Sequence, residues 1–296
     1  MVKVSIVIPV YNRKNFLTVC IKSLLAQSFE DFEICLVDDG STDGTGLLCD
    51  ELAEKDTRIR VLHVQNGGAT YARQKGVELA TGEWVLFVDS DDTMPADALQ
   101  RLFQAASEDT VYRKKRLWGV NKLSPACYRK LLIKGRHNIS ATCGKLFRRT
   151  LFDEDTLRTP REIVMGEDML MNLRLAFASS KPVRLVGGNS VYNYIQHGGN
   201  ITHVFKLTAD YEHIFHKERL QAIPEEEHAR YMPVMIYRRL RMLRRILRCA
   251  QKDNTVGELR TSVFVKELIA DIHATRYAFW RYPHWRLWRF LASAGK

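Results

Sequence analysis

The stretch that decides the fold is Glu83-Trp84-Val85-Leu86-Phe87-Val88-Asp89-Ser90-Asp91-Asp92. Its first half is an apolar run, which is typical of a strand buried on both faces in a parallel sheet. The run stops at a cluster of carboxylates. Ligands of open α/β sheets bind outside the carboxyl ends of the strands, which is where this cluster falls. The stretch therefore predicts a buried strand with a polar site at its end.

The chain around this stretch alternates between strand-like and helix-like segments. The predicted strands and helices follow one another as 4–10, 15–26, 32–37, 45–54, 59–63, 69–80, 83–88 and 96–106. Asp43 is the candidate N-cap of the second helix. Strands that alternate with helices in this way predict an α/β fold, with a mostly parallel sheet and helices on both faces.

The pattern becomes less regular after residue 108. Segment 108–134 is strongly basic, 138–151 predicts the edge of a strand or helix, and 169–178 predicts a helix. Two short strands are predicted at 183–186 and 190–195. From Lys206 onward the pattern is helical, with breaks at Pro224 and Pro233. We therefore predict an α/β domain over 1–205 and a basic helical region over 206–296.

The excess positive charge is concentrated near the C-terminus. Segment 231–250 holds six arginines and no acid, and its apolar residues recur at helical spacing. Segment 277–290 mixes aromatic residues with arginine. A solvated face over a helical packing domain is the default interpretation, and binding to an anionic membrane surface is the next. No nucleic-acid motif accompanies the charge, so nucleic acid is not an expected partner.

Other features favour a cytoplasmic protein. None of the six cysteines forms a Cys-x-x-Cys pair, which argues against a zinc site, and no spacing demands a disulfide. The N-terminus runs directly into a strand and does not look like a signal peptide. No apolar stretch is long enough to cross a bilayer. We expect a soluble protein, or a peripheral one on the inner face of the cell membrane.

Polar residues follow all four predicted strands at the same edge of the sheet. They are Tyr11-Asn12, Asp38-Asp39-Gly40-Ser41, Asn66-Gly67-Gly68 and Asp89-Ser90-Asp91-Asp92. Two carboxylates separated by one residue can face one Mg²⁺ or Mn²⁺ ion. Alone, such a pair is more often a solvated turn or a helix cap, and Asp38-Asp39 fits a cap as well as a nucleotide ligand. The position of the 89–92 carboxylates at this edge of the sheet favours a bound cation, since adjacent carboxylates repel one another.

In combination these residues resemble the family 2 glycosyltransferases, which have the GT-A fold. The resemblance covers roughly residues 3–202, and its motifs occur in the family's order. The motifs are Val7-Ile8-Pro9-Val10-Tyr11-Asn12, residues 37–45, then Asn66, Gly68, Ala72, Arg73 and Gly76, residues 81–92, Lys145-Leu146-Phe147-Arg148, Gly166-Glu167-Asp168 and, more loosely, Tyr192-Asn193-Tyr194.

The resemblance implies a nucleotide-sugar donor, by family habit a UDP-sugar, and a divalent metal, Mn²⁺ or Mg²⁺. The donor would be held by Pro9, Tyr11, Asn12, Asp38, Asp39, Asn66, Gly68, Arg73, Asp89, Ser90 and Asp91. Asp89, Asp91 and His197 would bind the metal, with His203 as the alternative to His197. Asp168, with Glu167 beside it, would supply the base that deprotonates the acceptor hydroxyl in an inverting displacement, while the metal stabilises the leaving diphosphate.

Three places matter against the family pattern, and the third is the histidine that completes the metal site in many relatives, for which His197 and His203 are both candidates. Gln74 stands where the family commonly has asparagine, and segment 108–134 does not align. Lys145 and Arg148 fit contacts with diphosphate or acceptor as well as they fit surface charge.

The leading hypothesis is an inverting glycosyltransferase that acts on a saccharide or lipid-linked acceptor in cell-surface polysaccharide or glycolipid synthesis. One alternative is a nucleotidyltransferase, but the loop after the first strand lacks the expected glycines. The other is a non-catalytic nucleotide-binding relative, which the presence of Asp89, Asp91 and Asp168 disfavours.

Overall fold

A computed structural model describes residues 2–113, 121–135, 137–186, 190–196, 205–277 and 285–294. The chain forms two compact units. The first, the sheet unit, holds residues 1–128, 141–161 and 178–198, and the second, the helical unit, holds 129–140, 162–177 and 199–296. The division into domains 1–205 and 206–296 stays a prediction.

The first half of the sheet unit alternates between strand and helix, as predicted. Its elements are β1 (Val4–Val10), α1 (Lys14–Leu25), β2 (Phe32–Asp38), α2 (Thr45–Lys55), β3 (Ile59–His63), α3 (Ala69–Leu79), β4 (Trp84–Phe87) and α4 (Ala98–Gln104). The four strands pair in parallel in the order β3-β2-β1-β4. Their carboxyl ends therefore share one edge of the sheet.

Four shorter strands extend this sheet beyond β4. They are β5 (Thr110–Arg113), β6 (Lys122–Leu123), β7 (Lys145–Arg148) and β8 (Val183–Val186), in the order β4-β7-β5-β8-β6. The strand predicted over 190–195 is wrong, because Asn193 forms only an isolated bridge with Thr93. The Ile195 N–H donates to the Asp92 carboxylate at 2.7 Å, so a side chain takes the place of a ladder partner.

Pro9 lies inside β1, a strand with neighbours on both sides, although proline has no N–H for a ladder bond. The Val7 carbonyl accepts a bond from the Val88 N–H, so the main-chain groups of Val7 point towards β4. Residues two apart in a strand point the same way, and Pro9 therefore faces the space beyond Phe87, where β4 ends. The proline costs no ladder bond at this position.

The turn Thr81-Gly82 before β4 is held by a buried acid on β2. Glu33 Oε1 accepts bonds from the Thr81 N–H at 2.6 Å and from the Ser5 hydroxyl at 2.6 Å. A Cβ on Gly82 would lie 2.7 Å from the Ser5 nitrogen. Burial opposes the ionised form, but these hydrogen bonds lower the pKa of Glu33 below its ordinary value. This part of the family motif is therefore structural.

The remaining helices are α5 (Pro125–Ile133), α6 (His137–Ser140), α7 (Glu167–Ala178), α8 (Ala209–Gln221), α9 (His228–Lys252), α10 (Val256–Thr261), α11 (Val263–Ala274) and α12 (Trp285–Ala294). The predicted break at Pro233 is wrong, since this proline is the sixth residue of α9 and the helix continues to Lys252. Because Pro233 lies so near the start of α9, its missing N–H affects a single intrahelical hydrogen bond. None of the described helices is long and apolar enough to cross a membrane.

The core of the helical unit lies between α9, α10, α11 and α12. Its buried side chains are Ile236, Leu240, Leu243, Ile246, Ala250, Leu259, Phe264, Val265, Leu268, Ile272, Leu287, Phe290 and Leu291. The amphipathic helix predicted over 231–250 is therefore confirmed as a helix, and its apolar face packs inside the unit. Residues 278–284 of the aromatic and arginine-rich end lie outside the described residues.

Candidate functional site

Four loops meet at the carboxyl edge of β3-β2-β1-β4, and we call them the rim: residues 11–13, 38–44, 64–68 and 89–93. Asn12 joins the first loop to the second. Its N–H donates to Ser41 Oγ at 3.0 Å, and its side-chain oxygen accepts the Thr42 N–H at 2.8 Å. Its φ of 52° lies in the left-handed region, which asparagine tolerates better than most residues.

Asp39 joins the second rim loop to the third. Its two carboxylate oxygens accept the N–H groups of Gly67 and Gly68 at 2.7 and 2.8 Å, and its carbonyl accepts the Asn66 side-chain amide at 2.9 Å. Asp39 is only 3% exposed. The side chain therefore acts as a clamp that shapes the 64–68 loop, and any contribution to donor binding is made through that loop.

Asp38 lies at the end of β2 and is also buried. Its Oδ1 accepts the Ser41 N–H at 3.1 Å, and its Oδ2 lies 3.0 Å from Nδ1 of His63 at the end of β3. The other ring nitrogen of His63 lies 3.0 Å from an oxygen of Asp50 on α2. A Cβ on Gly46 would lie 2.8 Å from Asp38 Oδ2, so the glycine leaves room for the carboxylate.

Each of the two predicted metal ligands pairs with an arginine. Asp89 Oδ1 accepts a bond from Arg73 at 2.9 Å, and Asp91 Oδ2 accepts one from Nε of Arg13 at 3.2 Å. Arg73 is 6% exposed and belongs to α3, whereas Arg13 follows Asn12 in the first rim loop. The arginines offset part of the negative charge of the cluster and orient its carboxylates.

Asp92 is the buried member of the acidic cluster. Its oxygens accept the Tyr192 hydroxyl at 2.6 Å and the Ile195 N–H at 2.7 Å. The same hydroxyl accepts the Asp89 N–H at 3.1 Å. Burial, with the nearby charges of Asp89 and Asp91, raises the pKa of Asp92 to about 6. Asp92 therefore fixes the backbone around the cluster and is less suited to face a ligand.

The other predicted donor residues and motif residues have varied positions. Tyr11 is 46% exposed on the rim, whereas Ser90 is buried. Lys145 is fully buried and donates to the Tyr128 hydroxyl at 3.2 Å, so it is not a surface charge. Arg148 lies over the Trp84 ring at 4.3 Å and is aligned with the first residue of β4. This places Arg148 at the end of the strand opposite the rim.

Glu167 and Asp168 form the first turn of α7, in the helical unit. Gly166 precedes them with a φ of +99°, and a Cβ there would lie 2.9 Å from the Phe215 ring. The Met165 N–H donates to the Tyr211 hydroxyl at 2.9 Å, and Arg174 pairs with Glu218 at 3.5 Å. The two acids are thus carried on a helix that is anchored to α8.

The chemistry of the rim suits a hard divalent cation, since Asp89 and Asp91 offer carboxylate oxygens at a strand end. Across the described ranges, no group of three His, Cys, Asp or Glu side chains stands close enough to hold a metal. His197, the predicted third ligand, and its alternative His203 lie outside the described residues.

Sequence reasoning missed Arg13, which lies in the first rim loop, and His63, which directly precedes the third rim loop. His63 is the last residue of β3, and Arg13 lies three residues after the end of β1, at the same edge of the sheet. Their position at this edge is the signal in the sequence that could have identified them.

Comparison with known proteins places the chain in a family. The profile of "Glycosyl transferase family 2" matches residues 5–154, slightly more than half of the chain, including all four rim loops. The chain belongs to glycosyl transferase family 2, and the resemblance noted from its motifs is confirmed.

Individual relatives match parts of the chain. Glycosyltransferase GlyG of Streptococcus pneumoniae is 42% identical over 106 residues, which are 36% of this chain and 35% of GlyG. The uncharacterized glycosyltransferase EpsJ of Bacillus subtilis is 31% identical over 229 residues, 71% of this chain and 66% of EpsJ. A poly(ribitol-phosphate) beta-glucosyltransferase of Bacillus spizizenii is 29% identical over 67% of this chain and 33% of its own. The chain thus spans about a third to two thirds of these relatives.

The fold matches solved structures over most of its length. TarS 1–349 of S. aureus in complex with UDP-GlcNAc gives a TM-score of 0.68 at 20% identity, over 90% of this chain and 83% of that one. At 20% sequence identity, this structural similarity supports the fold alone. It confirms the predicted GT-A fold, with a mostly parallel sheet, flanking helices and a helical C-terminal region.

Proposed function

We propose that this chain transfers a sugar from a nucleotide-sugar, with a UDP-sugar favoured, to a hydroxyl of a saccharide or lipid-linked acceptor. The observation that carries the proposal is the rim, where Asp38, Asp89 and Asp91 meet at one sheet edge beside Arg13 and Arg73. Carboxylates can bind a base, a ribose or a cation, and arginines can bind diphosphate. TarS, which shares the fold, binds UDP-GlcNAc, which supports a uridine donor.

The proposed reaction inverts the anomeric carbon. Asp168 takes the proton of the acceptor hydroxyl as its oxygen forms a bond to the anomeric carbon, and the bond from that carbon to the diphosphate breaks on the opposite face. A divalent cation, Mn²⁺ or Mg²⁺, bound by Asp89 and Asp91 would supply positive charge to the leaving diphosphate. Arg13 and Arg73 orient these two carboxylates through the bonds described above.

The acceptor class is inferred from relatives. The poly(ribitol-phosphate) beta-glucosyltransferase of Bacillus spizizenii acts, by its name, on poly(ribitol-phosphate). We therefore assign the present chain to polysaccharide or glycolipid synthesis at the cytoplasmic side of the cell envelope.

A donor screen tests the proposed activity. UDP-, GDP- and dTDP-sugars, each with and without Mn²⁺, are added to the wild type and to Asp91→Ala, and thermal unfolding is followed. A ligand at about a hundred times its dissociation constant adds about 2.7 kcal/mol of stability. We expect one nucleotide to stabilise the wild type in a metal-dependent way and to lose this effect in Asp91→Ala.

Asp97→Ala is the matched control, because it removes one carboxylate that is 61% exposed and only weakly paired with Arg101 at 3.6 Å. It should respond to the donor as the wild type does. A folded wild type that responds to no nucleotide would show that the rim is not a donor site. Release of pyrophosphate instead of nucleoside diphosphate would indicate a nucleotidyltransferase.

We also propose that the helical unit docks on an anionic membrane surface. Residues 228–296 hold 15 of the 45 Lys and Arg residues but 4 of the 34 acids, so they carry the whole formal charge of +11. Four arginines at helical spacing form one exposed face of α9: Arg241, Arg244, Arg245 and Arg248. Within the described part of the chain none of these four forms an ion pair. Because the apolar face of α9 is buried, the contact would be electrostatic.

Vesicle binding tests this contact. Arg244→Glu with Arg245→Glu should weaken binding to phosphatidylglycerol vesicles by more than about 30-fold, since each basic side chain near such a surface contributes about 1 kcal/mol. Sedimentation with vesicles at low salt measures the effect. Arg158→Glu with Lys55→Glu, two exposed basic residues of the sheet unit, changes the net charge equally and should bind as the wild type does. Equal weakening by both pairs would contradict a specific docking face.

A further inference from the structure

A row of three side chains runs from the rim to the surface of the sheet unit: Asp38, His63 and Asp50. The two ring nitrogens of His63 lie 3.0 Å from Asp38 Oδ2 and 3.0 Å from Asp50 Oδ1. The Asp38 side chain is 7% exposed, whereas those of His63 and Asp50 are 48% and 52% exposed. The row therefore joins a buried rim carboxylate to solvent.

The geometry favours the doubly protonated form of His63. A neutral imidazole carries one N–H and one lone pair, so one of its nitrogens would face a carboxylate oxygen without a proton between them. The imidazolium donates on both sides and removes this repulsion. In agreement, the hydrogen bonds to Asp38 and then to Asp50 raise the pKa of His63 above its ordinary value, although burial opposes the shift.

The groups around His63 leave Asp38 little freedom. Asp38 faces the ring from β2 and Asp50 faces it from α2, and the Cys49 thiol of α2 interacts with both carboxylates. Burial raises the pKa of the Cys49 thiol to about 12, so it stays uncharged near neutral pH. The helix comes so close at Gly46 that a Cβ would lie 2.8 Å from Asp38 Oδ2 and 3.6 Å from the His63 ring. The imidazolium and the Ser41 N–H thus set the orientation of the Asp38 carboxylate.

We propose that His63 is a positioning residue for donor binding: with Asp50 behind it, its imidazolium fixes the Asp38 carboxylate that contacts the nucleoside. This inference rests on the proposed function, because it gives Asp38 the nucleoside contact.

The pH dependence follows from the charge on the ring. Below the pKa of His63 the imidazolium holds Asp38 in place. As the pH rises through that pKa, one of the two bonds is lost and the Asp38 carboxylate loosens. Donor affinity should therefore be highest on the acidic side and fall as the pH rises. By linkage, donor binding must raise the proton affinity of His63 by the same factor, and so raise its pKa.

The test measures the affinity for UDP-N-acetylglucosamine by titration calorimetry between about pH 5.5 and about pH 8.5, where histidine titrates. Its diphosphate carries no proton in this range, so the protein alone supplies the pH dependence. We expect the wild type to lose about tenfold in affinity across the range, which corresponds to a change of about one unit in the pKa of His63. Proton NMR of the imidazole measures that pKa with and without donor.

Two variants separate positioning from a merely structural role. Asp50→Asn removes the solvent-side carboxylate, so the midpoint of the affinity change should move to lower pH, in step with the pKa of His63. His63→Asn keeps an amide N–H near Asp38 but carries no charge, so donor affinity should lose the part of its pH dependence that follows the pKa of His63. Glu51→Gln, an exposed neighbour on α2 with the same change of charge, should follow the wild-type profile.

The outcomes distinguish this inference from the proposed function. Donor binding with the same pH profile in the wild type, Asp50→Asn and His63→Asn would overturn the role of His63 and leave the glycosyltransferase proposal standing. A folded wild type that binds no nucleotide-sugar at any pH would overturn both.

Discussion

Replacement of Asp168 by asparagine should lower the rate of donor hydrolysis by about 100- to 10,000-fold, the usual contribution of a general base. Asparagine has nearly the shape of aspartate but cannot take a proton from the attacking hydroxyl. The substitution should leave the fold intact, because the backbone carbonyl of Asp168 accepts the Asn172 amide at 2.7 Å and is unchanged. Donor affinity should stay within about twofold of the wild type, since binding is assigned to the rim.

Water serves as the acceptor in this measurement, so it does not depend on knowing the natural one. The nucleotide-sugar that stabilises the protein in the donor screen is incubated with each variant, and release of nucleoside diphosphate is followed. Calorimetric titration of the same donor separates the loss of turnover from a loss of binding.

Glu167→Gln is the matched control for Asp168→Asn. Neighbouring residues on a helix point in different directions, so only one of the two acids can hold the acceptor hydroxyl. A large loss of hydrolysis in Glu167→Gln with little loss in Asp168→Asn would assign the base to Glu167. Near wild-type hydrolysis in both variants would place the base outside α7.

The sequence predicts the first half of the sheet unit well because each element there has a recognisable pattern within its own stretch of sequence. Residues 4–10 form an apolar run rich in β-branched residues, and residues 32–37 are apolar apart from Glu33, as expected of strands buried on both faces. Each lies in a repeating strand–helix unit, so the parallel order follows with few alternatives. The structure adds one residue, Asp38, to the second of these strands.

The second half could not be predicted in the same way, because its strands are short and their partners are distant in sequence. β6 has two residues, too few to show any alternation. β7 pairs antiparallel with β4, whose residues precede it by about sixty positions. Residues 145–148 become a strand through this pairing and through the pairing with β5 on the other side. Likewise, the Asp92 side chain takes the N–H of Ile195 and so prevents the strand predicted there.

The sequence predicted which loops meet at the rim but not what each of their residues contacts. Asp38 and Asp39 are adjacent and chemically identical, yet Asp39 clamps two glycine N–H groups while Asp38 faces His63. Contacts with distant parts of the chain cause this difference, and no local sequence pattern predicts it. The same holds for Thr81-Gly82, which belongs to the family motif but bonds to Glu33 at the far end of the sheet.

Loss of the Glu212 carboxylate should destabilise the helical unit by about 3–5 kcal/mol, the cost of leaving a buried charge without its partner. Glu212 is 1% exposed and accepts a bond at 2.9 Å from Arg219, which is fully buried. His216 lies in the same cluster, and burial lowers its pKa to about 4, as expected where water is excluded. Among the described residues, Glu212 is the carboxylate that pairs with Arg219, so Glu212→Ala leaves this buried guanidinium without it. Urea denaturation followed by circular dichroism measures the change in the free energy of unfolding.

Two further variants show whether the buried charge is the cause. Glu226→Ala removes an exposed carboxylate between α8 and α9 and should change stability by less than about 0.5 kcal/mol. Glu212→Leu with Arg219→Met replaces the pair by apolar side chains and should recover most of the lost stability. If Glu212→Ala unfolds at the same urea concentration as the wild type, the Arg219 guanidinium reaches water or another acid, and the cluster is not dry.

The Glu212 cluster also bears on catalysis, because α8 supports the helix that carries Asp168. Tyr211, next to Glu212, holds the backbone of Met165, and Glu218 pairs with Arg174 of α7. A variant that loosens α8 should therefore lose donor hydrolysis at temperatures where donor binding by the sheet unit persists. Simultaneous loss of both activities on heating Glu212→Ala would contradict this separation of roles and would mean that the two units unfold together.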